Sequence, residues 1–161
     1  MRTRSLALCL LACAVTVATP AARAEDDAST GTDGPVRIAV VVNPLNPVDS
    51  LDPAQLERIF LRQKIKWKNG WMITVFEWAS DHPIRRQFSS LVLRKSPERL
   101  AEYWLNLKLT RGLKGPAICH STTLLKSYLR RVKGGIGYLY EADIDASLKV
   151  IHLLEVSRDA P

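Results

Sequence analysis

Cysteine is almost absent from the body of this chain. Of three cysteines, Cys9 and Cys13 lie in the first 24 residues, so Cys119 is left without a partner. That excludes a disulfide framework, and the domain has to stand on an apolar core. Histidine is as sparse: His82, His120 and His152 are far apart and none has a second ligand at metal spacing. Paired carboxylates, a P-loop and a G-x-S-x-G nucleophile turn are missing, which removes common hydrolytic and phosphoryl-transfer layouts. Cys119 beside His120 has the residue types of a nucleophile and base. Neighbours in a strand face opposite ways, however, and no third member can be named, so a buried or incidental thiol is expected. No catalytic residue, metal ligand or cofactor is assigned, and the expectation is a non-enzyme. Long hydrophobic runs are scarce too: the one at Leu6–Ala18 is too short and too early for a membrane span.

What is present begins with that run. Arg2 and Arg4 precede it and Ala22-Arg23-Ala24 follows it, the pattern of a secretory signal over residues 1–24, cut after Ala24, with export to the periplasm. Leu10-Leu11-Ala12-Cys13 resembles a lipobox, so a lipoprotein anchored through Cys13 is the alternative. Removing the leader leaves 137 residues, enough for one domain with a sizeable core. Three arginines and no acids leave with it, so the net charge falls from +7 to +4. Outside the cytoplasm so mild a balance favours small anions or an acidic protein partner over nucleic acid. Residues 25–35 are polar and acidic with nothing to bury, and predict a disordered tether. Residues 36–154 form the expected domain and 155–161 a tail.

Within the domain, Val36–Val42 is short, apolar and β-branched, the pattern of a strand buried on both faces. After Asn43-Pro44-Leu45-Asn46-Pro47, a helix start has several agreeing signals: Asp52 can cap, Pro53 suits the first turn, and Gln55 completes a capping box. Leu56, Ile59 and Phe60 mark its buried face. Arg62, Lys64, Lys66 and Lys68 surround Trp67; in an exported chain this reads as a solvated turn with one anchored indole rather than a nucleic-acid contact. Trp71–Trp78 predicts a strand with two apolar faces. Ile84, Phe88, Leu91 and Val92 repeat at helical spacing, Ser96-Pro97 starts another helix with face Leu100, Tyr103, Trp104 and Leu107, and Thr110–Pro116 reads as a loop. Ser121 can cap a further helix with Leu124, Leu125, Tyr128, Leu129 and Val132 inward. Gly134–Tyr138 leads into a strand, and Leu148–Leu154 predicts one more.

The stretch Trp67–Phe88 organises the rest. Its strand gives way to the polar break Ser80-Asp81-His82 and then to a helix opened by Pro83. Free backbone N–H groups and a partial positive charge at a helix start favour an anion. The candidate ligand-binding residues are therefore Ser80, Asp81, His82 and Arg85. An ordinary connection that binds nothing is the competing reading.

In order and spacing the chain resembles the phosphate-binding proteins of ABC transporters, the PstS-like substrate-binding family. The resemblance rests on the apolar strand Val36–Val42, Asn43–Pro47, Ser50–Phe60, Lys66–Gly70, the strand Trp71–Trp78 and Gly134–Tyr138. It implies an α/β fold, a single lobe of a type 2 periplasmic-binding-protein fold, with a mixed sheet covered by helices on both faces. It also implies a small oxyanion, phosphate, as ligand. Two departures accompany it. The chain matches only one of the two lobes that close over a ligand in the family. Family members that bind phosphate also carry an Arg after the central strand and then Ser-Gly-Thr opening a helix. The family's spacing puts Trp78 at the Arg position and His82, Pro83 and Ile84 at the other three; a slip of one or two residues brings in Ser80 or Arg85. Two readings follow: a phosphate-transporter substrate-binding-like protein with weak oxyanion binding through one lobe, alone or with a second lobe supplied by a partner, or a ligand-free module that docks on an envelope protein.

Overall fold

The computed structural model describes residues 36–156. The expected leader, tether and the end of the tail lie outside them. Strand β1 (Val36–Val42) enters the core at once, and Ile38 through Val42 are fully buried. Asn43 ends it for a structural reason. Its side-chain amide donates to the carbonyls of Leu129 at 2.7 Å and Arg130 at 2.9 Å, closing the C-terminal end of helix α4 (Thr122–Arg131). Carbonyls at a helix end lack partners within the helix, so the first asparagine of the Asn43–Pro47 segment is a clamp between distant elements.

Helix α1 (Pro53–Phe60) starts as its residues dictate. Asp52 accepts from the Gln55 N–H at 2.7 Å, the Gln55 side chain accepts from the Asp52 N–H, and Leu56, Ile59 and Phe60 are buried. The central strand β2 is shorter than its apolar run suggests and spans Thr74–Trp78. Met72 bridges to Lys66 instead and the Ile73 N–H donates to the Ile65 carbonyl, so the first residues of the run turn back on the lysine-rich segment. Trp67 anchors that segment, buried, with its indole N–H on the Gly134 carbonyl at 3.0 Å.

Helix α2 (Pro83–Phe88) passes directly into a widened π turn, Ser89–Leu93. The extra residue in that turn moves the apolar stripe on by one. Val92 and Leu93 therefore face inward while Leu91, expected on the face, is exposed. Helix α3 (Pro97–Arg111) is capped by Ser96 and ended by Gly112 at φ 64°, a left-handed position that suits glycine. It runs into the segment expected to be a loop. The short strand β3 (Ala117–Cys119) has no counterpart in the sequence reading. Helix α4 is capped by Ser121, as expected; Leu125 and Leu129 are buried while Leu124 and Tyr128 stay partly open. Strand β4 (Gly135–Tyr140) and strand β5 (Lys149–Val156) complete the fold, β5 running two residues past the expected end.

The strands form one mixed sheet in the order β3-β2-β4-β1-β5. β2 is parallel to both β3 and β4, whereas β1 is antiparallel to β4 and β5. Tyr138 on one face of β4 packs between Phe60 of α1 and Phe88 of α2, its ring stacked on Phe88 at 3.8 Å. On the other face, Gly135 and Gly137 sit against Leu125 and Leu129 of α4. Helices thus cover both faces of the mixed sheet, the α/β architecture expected.

Candidate functional site

Ligands in open α/β sheets bind beyond the C-terminal ends of the parallel strands. Here β2 ends at Trp78, β3 at Cys119 beside it, and β4 at Tyr140. The candidate turn Ser80–His82 sits at this end, directly after β2 and before α2. Ser80 and Asp81 are exposed, and His82 is half-buried with its ring 4.4 Å from that of Trp78. These three residues therefore lie together on the open end of the sheet.

The start of α2 has little left to offer an anion. Pro83 has no N–H. The Ile84 N–H donates to Nδ1 of His82 at 3.3 Å, and the Arg85 and Arg86 N–H groups return to the His82 carbonyl. His82 is thus the N-cap, filling from within the chain the place an incoming anion would take.

Arg85 is turned away from this turn. It is buried, and its guanidinium forms an ion pair with Glu77, whose side chain is 1% exposed. Helical phase explains the direction. Arg85 shares a stripe with Ser89, which is fully buried, whereas Arg86 faces solvent and donates to the Asp81 carbonyl at 2.7 Å. Burial raises the Glu77 carboxyl to about 7, against the pull of Arg85. Burial disfavours the charged form of Arg85, but the Glu77 carboxylate and Tyr138 outweigh it and raise the guanidinium above its ordinary value. Burial also holds the Tyr138 hydroxyl well above its ordinary range. Glu77 Oε1 and the hydroxyls of Tyr138 and Ser89 are buried without hydrogen-bond partners. Glu77 was not singled out by the sequence reading. Its signal was a lone acid within an otherwise apolar strand, a residue that is seldom buried unless paired.

The remaining candidates separate. Burial raises the Cys119 thiol and encloses it completely, while His120 is exposed. Among the described residues no three His, Cys, Asp or Glu side chains come together as a metal cluster. A cleft of about 550 Å³ between Asn46, Asp49, Gln55, Lys64 and Lys68 lies at the opposite, N-terminal end of the parallel strands. Among the described residues no helix is long and apolar enough to cross a membrane.

The sheet order, the antiparallel β1 and the helices on both faces define a partial periplasmic-binding-protein fold. The chain matches no protein-family model and no curated protein sequence. Among solved structures its fold is similar to a protein of Clostridium perfringens described as a phosphate ABC transporter substrate-binding protein, solved with bound phosphate. The TM-score is 0.60 at 22% identity, over 72% of this chain and 44% of that one. An ABC-type phosphate transport receptor of Vibrio cholerae gives 0.57 at 20% identity, over 78% and 58%. PstS of Borrelia burgdorferi gives 0.56 at 14% identity, over 78% and 49%. The resemblance read from the sequence is borne out at the level of the fold. The chain spans about half the length of the structures it matches.

Proposed function

We propose that the protein is an exported, non-catalytic lobe of the phosphate-transporter substrate-binding kind that acts by docking on an envelope protein. The observation that carries this reading is the Glu77–Arg85 pair. An arginine recognises phosphate by offering its planar fork to two oxygens. Here the fork of Arg85 is turned away from the turn and held by the Glu77 carboxylate of the same chain, and His82 and Pro83 leave no amide free at the start of α2. The fold of a binding lobe is kept while its anion-binding groups are satisfied internally. The periplasm is the compartment this reading requires, with the leader as the route to it.

A second reading has one observation in its favour. Ser80, Asp81 and His82 stand at the ligand-binding end of the sheet, with Arg86 exposed beside them. That turn could hold an oxyanion such as phosphate through the Ser80 hydroxyl, His82 and the Arg86 charge. Asp81 opposes it, and water and salt weaken an exposed contact of this kind.

The docking reading is tested by cross-linking the protein in intact cells and isolating it in the presence and absence of phosphate. A stoichiometric envelope partner retained in both conditions is the expected result. A protein that is monomeric throughout, or a partner released by phosphate, would overturn the reading.

A further inference from the structure

Two stretches with marked residue patterns take no part in the sheet-end turn: the segment after β1, residues 43–51, and the lysine-rich run around Trp67. They meet at the opposite end of the sheet, where they form the walls of the cleft of about 550 Å³. Residues 46–51 make one wall, and Lys64, Trp67, Lys68 and Asn69 make the other. The size lies within the range of roughly 300–1,000 Å³ that small-molecule sites occupy.

Both walls are tied to the domain before anything binds. On the first, the Lys149 ammonium of β5 donates to the Asn46 carbonyl at 3.2 Å and to the Asp49 carboxylate at 2.6 Å. The Val48 N–H returns to the Asn46 side chain at 3.1 Å. On the second wall, the Trp67 indole N–H is held by the Gly134 carbonyl, and the Gly70 N–H donates to the Trp67 carbonyl at 3.0 Å. The Trp71 N–H donates to the Asn69 side chain at 3.1 Å. Walls fixed in this way leave little ordering cost for a ligand to meet. Leu51 and Trp67 are nearly enclosed and Val48 is half-buried, so part of the lining is apolar.

Charge decides the kind of ligand. The two acids at this end are already answered: Asp49 by Lys149, and Asp52 by the Gln55 N–H of the capping box. Lys64 and Lys68 border the cleft, and among the described residues neither forms an ion pair. An ammonium is a point charge without the planar fork that grips a phosphate from two sides. Lysines open to water therefore hold a bare anion weakly, and the apolar lining adds a demand that no inorganic ion meets.

We propose that this cleft binds a small organic anion, a carboxylate with an apolar body. Lys64 and Lys68 hold the carboxylate, and the body lies against Val48, Leu51 and Trp67. The site stands apart from the sheet-end turn and does not depend on the docking reading.

The test is a titration of the isotope-labelled protein followed by two-dimensional NMR. The probes are octanoate, acetate, which has the charge without the body, and octanamide, which has the body without the charge. The reporters are the indole N–H of Trp67 and the backbone amides of Val48 and Asn69. The expected result is a saturable shift at these positions with octanoate, with a dissociation constant of about 1 mM or lower. Acetate and octanamide should bind at least about fivefold more weakly. Lys64→Gln/Lys68→Gln should weaken octanoate at least about fivefold and leave octanamide unchanged. Equal binding of octanoate and octanamide, octanoate binding insensitive to the double substitution, or no saturable shift at the three reporters would overturn the proposal. Octanoate shifts centred on Ser80–His82 would overturn it too, and would move the anion to the sheet-end turn.

Discussion

Arg85 and Glu77 neutralise one another inside the domain, beneath an exposed turn that has the position of a ligand site. The pair decides the chemistry of the turn. Removing one partner from a buried ion pair leaves an uncompensated charge in the interior and costs about 3–5 kcal/mol. Arg85→Ala is therefore expected to lower the unfolding free energy by about that amount in urea denaturation at pH 8.5, above the value of about 7 to which burial raises the Glu77 carboxyl. A loss below about 1 kcal/mol would place the guanidinium in water.

The pH dependence has a definite sign. The Glu77 carboxyl is raised from 4.5 to about 7 in the folded protein, so between those values the folded state binds more protons than the unfolded one. Stability contributed by this group is complete below about pH 4.5 and is lost as pH rises through 7. The difference is on the order of 3 kcal/mol. Asp145, held below the usual carboxylate range first by its hydrogen bond from Lys126, acts in the opposite sense and only in more acidic solution. Denaturation midpoints at pH 5.5 should therefore exceed those at pH 8.5, and Glu77→Gln should remove most of the difference.

Phe60 is enclosed by Phe88 at 4.7 Å and Tyr138 at 5.7 Å between ring centres, joining α1, α2 and β4. Phe60→Ala is expected to cost about 3–5 kcal/mol, because the rings around it cannot collapse into the space. Chemical denaturation showing a loss under about 1 kcal/mol would mean that α1 does not face the core.

Gly134 lies where the backbone at Met72, on its way into β2, crosses the entry to β4. A side chain there would run into the Met72 carbonyl oxygen, itself backbone. Gly134→Ala should therefore leave little folded protein at 37 °C, seen as lost near-ultraviolet circular dichroism. Retention of a cooperative transition near that of the unaltered protein would contradict the crossing.

What could be read in advance was local. The Asp52–Gln55 capping box, the helix start at Ser96-Pro97, the cap at Ser121 and the continuous apolar run of β1 need only neighbours in sequence, and all four stand where expected. What could not be read depends on distant partners or on phase. β3 is three residues long and exists because Trp78 and its neighbours lie beside it. The π turn moved the stripe from Leu91 and Val92 to Val92 and Leu93, a widening that residue spacing does not announce. The arginines at 85 and 86 look alike in sequence, yet the step of roughly 100° between adjacent helical positions sends Arg85 to Glu77 and Arg86 to solvent. The polar break after β2 was legible from its residues; the carboxylate that pairs with Arg85 was not.

Calorimetric titration of the purified protein with inorganic phosphate at low and moderate salt separates a turn satisfied from within the chain from one that binds an anion. With Arg85 held by Glu77 and the amides of the α2 start already used, no saturable binding is expected below about 1 mM phosphate. A dissociation constant in the micromolar range, lost in Ser80→Ala or His82→Ala, would contradict the account and show that the turn binds phosphate.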